Sequence, residues 1–262
     1  MKPLFSFLLI GLIVIASSCG DDDEPTPDVV SPFQEWASAS VDGINVKLLG
    51  QERFFVGYNT MMLEVFDNND NPITGEVKIT PMMDMMTMSH SAPLEYTHGQ
   101  ALNAGGSLEF ATVFVMPSGE MGTWTVNVEV LDKMIEVPVE ILQPEYSKLT
   151  SFVDQVDGST KYFVAMIGPK DPQVGVNDLE VAVYKRQSMM EWPAVTNMTM
   201  ELEPWMVSMD HGSPNNVAPV HTGNGHYSGK VNFTMTGDWQ IRLDLLQNGE
   251  LCGEPYFDIF FQ

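Results

Sequence analysis

The chain repeats itself, and a repeat of this length leaves little freedom in its architecture. Met88-Ser89-His90-Ser91-Ala92-Pro93 returns as Met209-Asp210-His211-Gly212-Ser213-Pro214, both reading Met-x-His-x-x-Pro. A second histidine follows each copy, His98 and His221. Phe-x-Met comes next (Phe114 to Met116; Phe233 to Met235), then Gly-x-Trp (Gly122 to Trp124; Gly237 to Trp239). Upstream, Gly57-Tyr58-Asn59 and Leu63-Glu64-Val65 parallel Gly175-Val176-Asn177 and Leu179-Glu180-Val181. Pro72 and Pro81 parallel Pro193 and Pro204. Solenoid repeats are far shorter, so this spacing predicts two tandem domains, residues 41–142 and 150–262, with a connector opening at Gln143-Pro144-Glu145.

Within each half, short runs rich in Val, Ile, Phe, Thr and Trp alternate with turn clusters. Glu76 to Thr80, Ser107 to Val115, Thr123 to Leu131 and Ile135 to Ile141 read as strands in the first half. Lys161 to Ile167, Asp178 to Tyr184, Tyr227 to Met235 and Trp239 to Leu246 read so in the second. No sustained helical stripe interrupts them. The expected fold is all-β, with a β-sandwich in each half. Trp124 and Trp239 read as core anchors entered through a glycine turn.

The N-terminus predicts export. Lys2, the apolar run Leu4 to Ile15 and the small residues Ala16-Ser17-Ser18 read as a signal peptide over residues 1–18, too short to span a bilayer. Cys19 directly afterwards resembles a lipoprotein lipobox, which implies an acylated N-terminus and a membrane anchor at that residue. Residues 19–40 carry an acidic block, Asp21-Asp22-Asp23-Glu24, and prolines; the expectation is a solvated tether. The block also resembles the export signal of Bacteroidetes surface lipoproteins, which implies an outer-membrane lipoprotein displayed at the cell surface.

Removing residues 1–18 leaves 11 basic and 35 acidic side chains, a net charge of −24, since Lys2 is the one charged residue lost from the 12 basic and 35 acidic of the full chain. Such a surface repels nucleic acid and attracts cations. With Cys19 acylated, Cys252 has no disulfide partner and reads as a small buried apolar residue.

Four of the five histidines sit in the repeated motif, and the 19 methionines are out of proportion for a chain of this size. If Met88 to His90 and Met209 to His211 are extended, residues two apart face one way. Met88, His90, His98 and Met116 then form one candidate metal set, and Met209, His211, His221 and Met235 the other. Two thioethers with two imidazoles suit Cu(I). The competing reading is that these methionines fill core gaps or form adaptable contact surface, since Met82, Met83, Met85 and Met86 fall on both faces of any strand. His226 has no counterpart in the first half and reads as a surface or strand residue.

The Met-x-His segment, the Tyr227 to Met235 strand and Gly237-Asp238-Trp239 resemble the YtkA-like family, grouped with FixH-like exported proteins. The second half carries the resemblance best. It implies an immunoglobulin-like or cupredoxin-like β-domain with a link to copper handling, and hence a copper ion or a copper-handling protein as partner. No nucleophile elbow, phosphate loop, His-Glu-x-x-His or Cys-x-x-Cys is present, so the chain is not read as an enzyme. The alternative function is a non-catalytic cell-surface module that recognises a protein or a glycan.

Overall fold

The computed structural model describes residues 33–262. The signal peptide, Cys19 and most of the expected tether lie outside them. The first half contains β1 (Gln34–Val41), β2 (Ile44–Gly50), β3 (Gly57–Asp67), β4 (Gly75–Glu76), β5 (Lys78–Asp84) and β6 (Ser89–Ser91). It continues with β7 (Leu94–Tyr96), β8 (Ala101–Leu102), β9 (Ser107–Phe114), β10 (Thr123–Val130) and β11 (Lys133–Val139). The second half contains β12 (Leu149–Val153), β13 (Lys161–Gly168), β14 (Gly175–Arg186), β15 (Thr199–Met206) and β16 (His211–Gly212). β17 (Val217–Gly223), β18 (His226–Phe233), β19 (Gly237–Gln247), β20 (Glu250–Gly253) and β21 (Tyr256–Phe261) complete it.

Each half is built on a pair of antiparallel sheets, and in the first β4 and β8 form a separate two-stranded sheet. In the first, β1-β2-β3-β9-β7 faces β11-β10-β5-β6; in the second, β12-β13-β14-β18-β17 faces β16-β15-β19-β20, with β21 continuing the outer edge of β19. The strand order is the same in both. Strict alternation builds each sandwich: β2 and β10 bury every second residue, as one face meets a core and the other meets water. Trp124 and Trp239 are each 1 % exposed and anchor separate cores, one gathered around Val46, Leu63, Phe110 and Val126, the other around Val181, Tyr227, Ile241 and Phe257.

Local devices recur as faithfully as the strands. Gly57 and Gly175 open β3 and β14 opposite Phe114 and Phe233. Asn59 donates through Nδ2 to the carbonyls of Gly57 and Phe55 (both 2.8 Å) and accepts from Phe55 N–H; Asn177 does the same with Gly175 and Gln173 (2.9 and 2.7 Å). One side-chain amide thus satisfies backbone groups that the turn leaves without ladder partners. The Leu-Glu-Val match is displaced by two residues: Val65 bonds the carbonyl of Gly106, and its structural counterpart, bonding Gly225, is Val183. A slip of two keeps every side chain on its face, so the pattern survives the misalignment.

Strand β1 begins at Gln34, inside the segment expected to be tether. Asp42-Gly43, with φ of 49° and 83°, closes a two-residue hairpin that pairs Val41 with Ile44. Ala37 and Ala39 of β1 pack on the first core.

The two halves touch through the outward faces of their five-stranded sheets. Val113, Ala165, Ala182 and Tyr184 form a third buried cluster, with Tyr58, Leu149 and Ile167 against it. Burial from Tyr162 to Met166 and from Val181 to Tyr184 is therefore continuous rather than alternating, because both faces of the sheet are covered there.

Candidate functional site

The repeated motif folds into one packed unit per half, at the end of each sandwich where β9 and β18 finish. In the first half the sheet pairs His90 with Met83 and Met83 with Trp124, a single inward-facing row. In the second, His211 pairs with Met206 and Met206 with Trp239. The imidazole of His90 lies edge-on to Trp124 at 5.4 Å between centroids, and that of His211 edge-on to Trp239 at 5.8 Å. Phe114 and Phe233 close the cluster on the indoles at 5.0 and 5.4 Å. Each indole N–H donates to a methionine carbonyl, Trp124 to Met116 (2.9 Å) and Trp239 to Met235 (3.0 Å). The glycine of Gly-x-Trp faces the methionine too: a Cβ on Gly122 or Gly237 would meet the S-methyl of Met83 or Met206.

The histidines share their hydrogen bonding. Nδ1 of His90 bonds the carbonyl of Ser91 (2.7 Å), and Nδ1 of His211 that of Gly212 (2.8 Å). A carbonyl accepts, so Nδ1 carries the proton in the neutral ring and Nε2 presents a lone pair. No protein group among the described residues hydrogen-bonds either Nε2.

The four-ligand sets do not assemble as the sequence suggested. Met88 lies in the turn before β6, 47 % exposed, and Met209 in the turn before β16, 56 % exposed. Asp210, between Met209 and His211, has φ of 54°, so this segment is not extended and the rule of alternating faces does not apply. The methionines opposite the histidines are Met83 and Met206, with Cβ separations of about 5 Å expected for directly paired residues. Sequence reasoning missed them because they precede the histidine by different spacings in the two hairpins. Met116 and Met235 contribute their carbonyls to the tryptophans.

The distal histidines stand at the other end of the sheet. His221 pairs with Tyr227, six residues before Phe233 on β18, about 20 Å away at the usual strand rise. His98 is exposed and follows Tyr96, which pairs with Phe110, well back along β9 from Phe114. Neither reaches His90 or His211. Among the described residues no three His, Cys, Asp or Glu side chains converge as a metal site.

The two units differ in their cover. Ser91 N–H donates to the carbonyl of Met189 from the second half (2.8 Å), and Trp192 packs 6.0 Å from His90. This leaves His90 7 % exposed, whereas His211, with no such cap, is partly open.

His226 occupies the interface between the halves. Its Nδ1 contacts Glu180 (2.8 Å) and its Nε2 contacts Glu95 (3.0 Å), across from the first half. Tyr58 and Tyr184 also donate to Glu95, at 3.1 and 2.5 Å. Hydrogen bonds to Glu180 and Glu95 raise the His226 pKa to about 9. Burial alone would raise Glu95, but its bonds from His226 and Tyr184 outweigh burial and hold the carboxyl below its ordinary value.

The protein is thus an all-β chain of two packed sandwiches, each with a His-Met-Trp unit at one end. A family model described as YtkA-like matches residues 157–244, within the second half. No curated protein matches the chain. Solved structures similar to it include domains 5–6 of the S-layer protein SbsC (12 % identity, TM-score 0.30, covering 87 % of this chain and 97 % of that one). Others are FdeC, an Escherichia coli adhesin (13 %, 0.27, 84 % and 65 %), and invasin, a bacterial integrin-binding protein (11 %, 0.26, 83 % and 39 %).

Proposed function

We propose that this is an exported, lipid-anchored, non-catalytic protein in which two YtkA-like copies each offer an imidazole and a neighbouring thioether to a soft cation, Cu(I), for binding or for delivery to a copper-handling partner. The observation that carries the reading is the Nδ1–carbonyl bond of His90 and His211. A hydrogen bond of this kind to the far ring nitrogen fixes the tautomer and orientation of metal-ligating histidines, and here it leaves Nε2 without a protein partner. Met83 and Met206 supply the facing sulfurs. The matched strand order and the paired Asn59 and Asn177 turns support treating the first half as a copy of the second. Diacylglycerol on Cys19, read by mass analysis, tests the anchor; a free N-terminus elsewhere removes it.

Anaerobic titration with Cu(I) against a chromogenic chelator tests the site. Wild type should compete, and His90→Ala with His211→Ala should not. A second reading has its own support: both imidazoles pack edge-on to a buried indole, as structural side chains do. On that reading the wild type does not compete, the double variant loses thermal stability, and the exposed Met86, Met189 and Met190 belong to a surface that contacts a protein or glycan.

A further inference from the structure

A cavity of about 370 Å³ opens between the halves, walled by the β2–β3 loop, the connector and the β13–β14 loop. Its charged lining is Glu52, Arg53, Lys148 and Lys170, an excess of two positive charges by formal count, with Arg53 already paired to Glu140 at 2.5 Å. That is unexpected in a chain with 12 basic and 35 acidic side chains, since three of the 12 meet here. Two other clefts follow the bulk composition: one carries Glu76, Glu129 and Asp132 with Lys78, another Glu201, Glu203, Asp244 and Glu254 with Arg242.

Lys148 is the central group. No carboxylate among the described residues pairs with it, although seven ion pairs form among those residues. Burial lowers its pKa, and Glu52 offsets only part of that effect. Its Cβ lies beside Gly57, where an added Cβ would meet it at 3.0 Å, so the side chain sets out from the entrance to β3. The amide of Asn59 is spent on its own turn, so it does not compete for a ligand. Around the cations, Phe54 and Met166 are buried and Phe55, Tyr58 and Pro169 add apolar wall.

A concave, mostly apolar site of this volume with a few convergent charges is the usual form of a small-molecule pocket. We propose that it binds a small organic carboxylate with a flat apolar body, the carboxylate meeting Lys148 and the body lying against Phe55 and Met166. Because residues from both halves and the connector line the site, the bound anion also ties the halves together. This site is independent of the His-Met-Trp units.

Isothermal titration of the purified protein with 2-naphthoate and its neutral analogue 2-naphthamide tests the assignment. The carboxylate should bind at least tenfold tighter than the amide, since only it forms a charge-assisted bond with the ammonium. Lys148→Met should reduce it to the level of the amide, while Lys78→Met, in another cleft, should leave it unchanged. If Lys148→Met does not fold by circular dichroism, Lys148→Gln, which keeps a polar tip of similar reach without the charge, gives the same comparison. Equal binding of the two probes, binding of neither, or an undiminished carboxylate preference in the variants overturns the proposal.

Discussion

Replacing His226 with Gln should flatten the dependence of stability on alkaline pH. His226 is raised from an ordinary value of 6.5 to about 9 by Glu180 and Glu95. A raised folded-state pKa gives stability that is fully present below pH 6.5 and is lost as pH climbs through 9. Each unit is worth about 1.4 kcal/mol, so the full shift corresponds to about 3 kcal/mol. The imidazole is 17 % exposed but Glu180 is 41 % exposed, and solvent screening there reduces the figure to about 2 kcal/mol. For a protein of this size that is roughly 4–8 °C in melting temperature. Urea or thermal unfolding at pH 6 and pH 9.5 would measure it, as the difference between wild type and His226→Gln. Tyr58 and Tyr184 donate to Glu95 in the same cluster, but both phenols are raised, first by burial and then by Glu95, and stay neutral throughout this window. Identical pH profiles for the two proteins would refute the reasoning, since the interface would then not depend on the imidazolium.

Three further outcomes are expected. Gly225→Ala should cost about 3 kcal/mol, from a left-handed φ of 78° and a Cβ 2.7 Å from the carbonyl of Val183; Gly249→Ala, with φ of 83° but open space, should cost about 1 kcal/mol, and equal losses in denaturant midpoints would contradict this. Asn59→Ala should lower stability by about 2–3 kcal/mol, since it strips a buried turn of three hydrogen bonds, and a chemical denaturation curve unchanged from wild type would show the turn holds itself. Cys252 is 1 % exposed and burial raises its thiol pKa, so Ellman's reagent should react with it only on unfolding; prompt labelling of the native protein would show that β20 opens.

The repeat and the β-class were legible because period-2 alternation and matched punctuation leave a strong trace. Trp124, Trp239, Pro81 and Pro204 fall at equivalent register positions, Pro81 opposite Val126 and Pro204 opposite Ile241. The site was legible only as a composition of histidine, methionine and tryptophan. Which methionine meets His90 depends on hairpin register, and the loops of the two copies differ by two residues, so the visible Met-x-His spacing pointed to turn residues instead. β1 was missed although Asp42-Gly43 is a strong hairpin signal, because the acidic tether drew the boundary at residue 40. The packing of one half on the other had a trace as well. Phe163-Val164-Ala165-Met166 breaks the alternation, as a strand covered on both sides must.

The carbonyl of Met189 and the ring of Trp192 make the contact between the halves part of the fold. Pulled apart, the two sandwiches would keep both cores, yet the first histidine would be uncovered and the Trp192 loop would lose its seat. The same holds for excision: the first half alone would expose Val113 and lose every partner of Glu95 except Tyr58. The two sandwiches are similar bodies, but the loop that carries Met189 and Trp192 makes them non-interchangeable, one end an open door and the other a closed one.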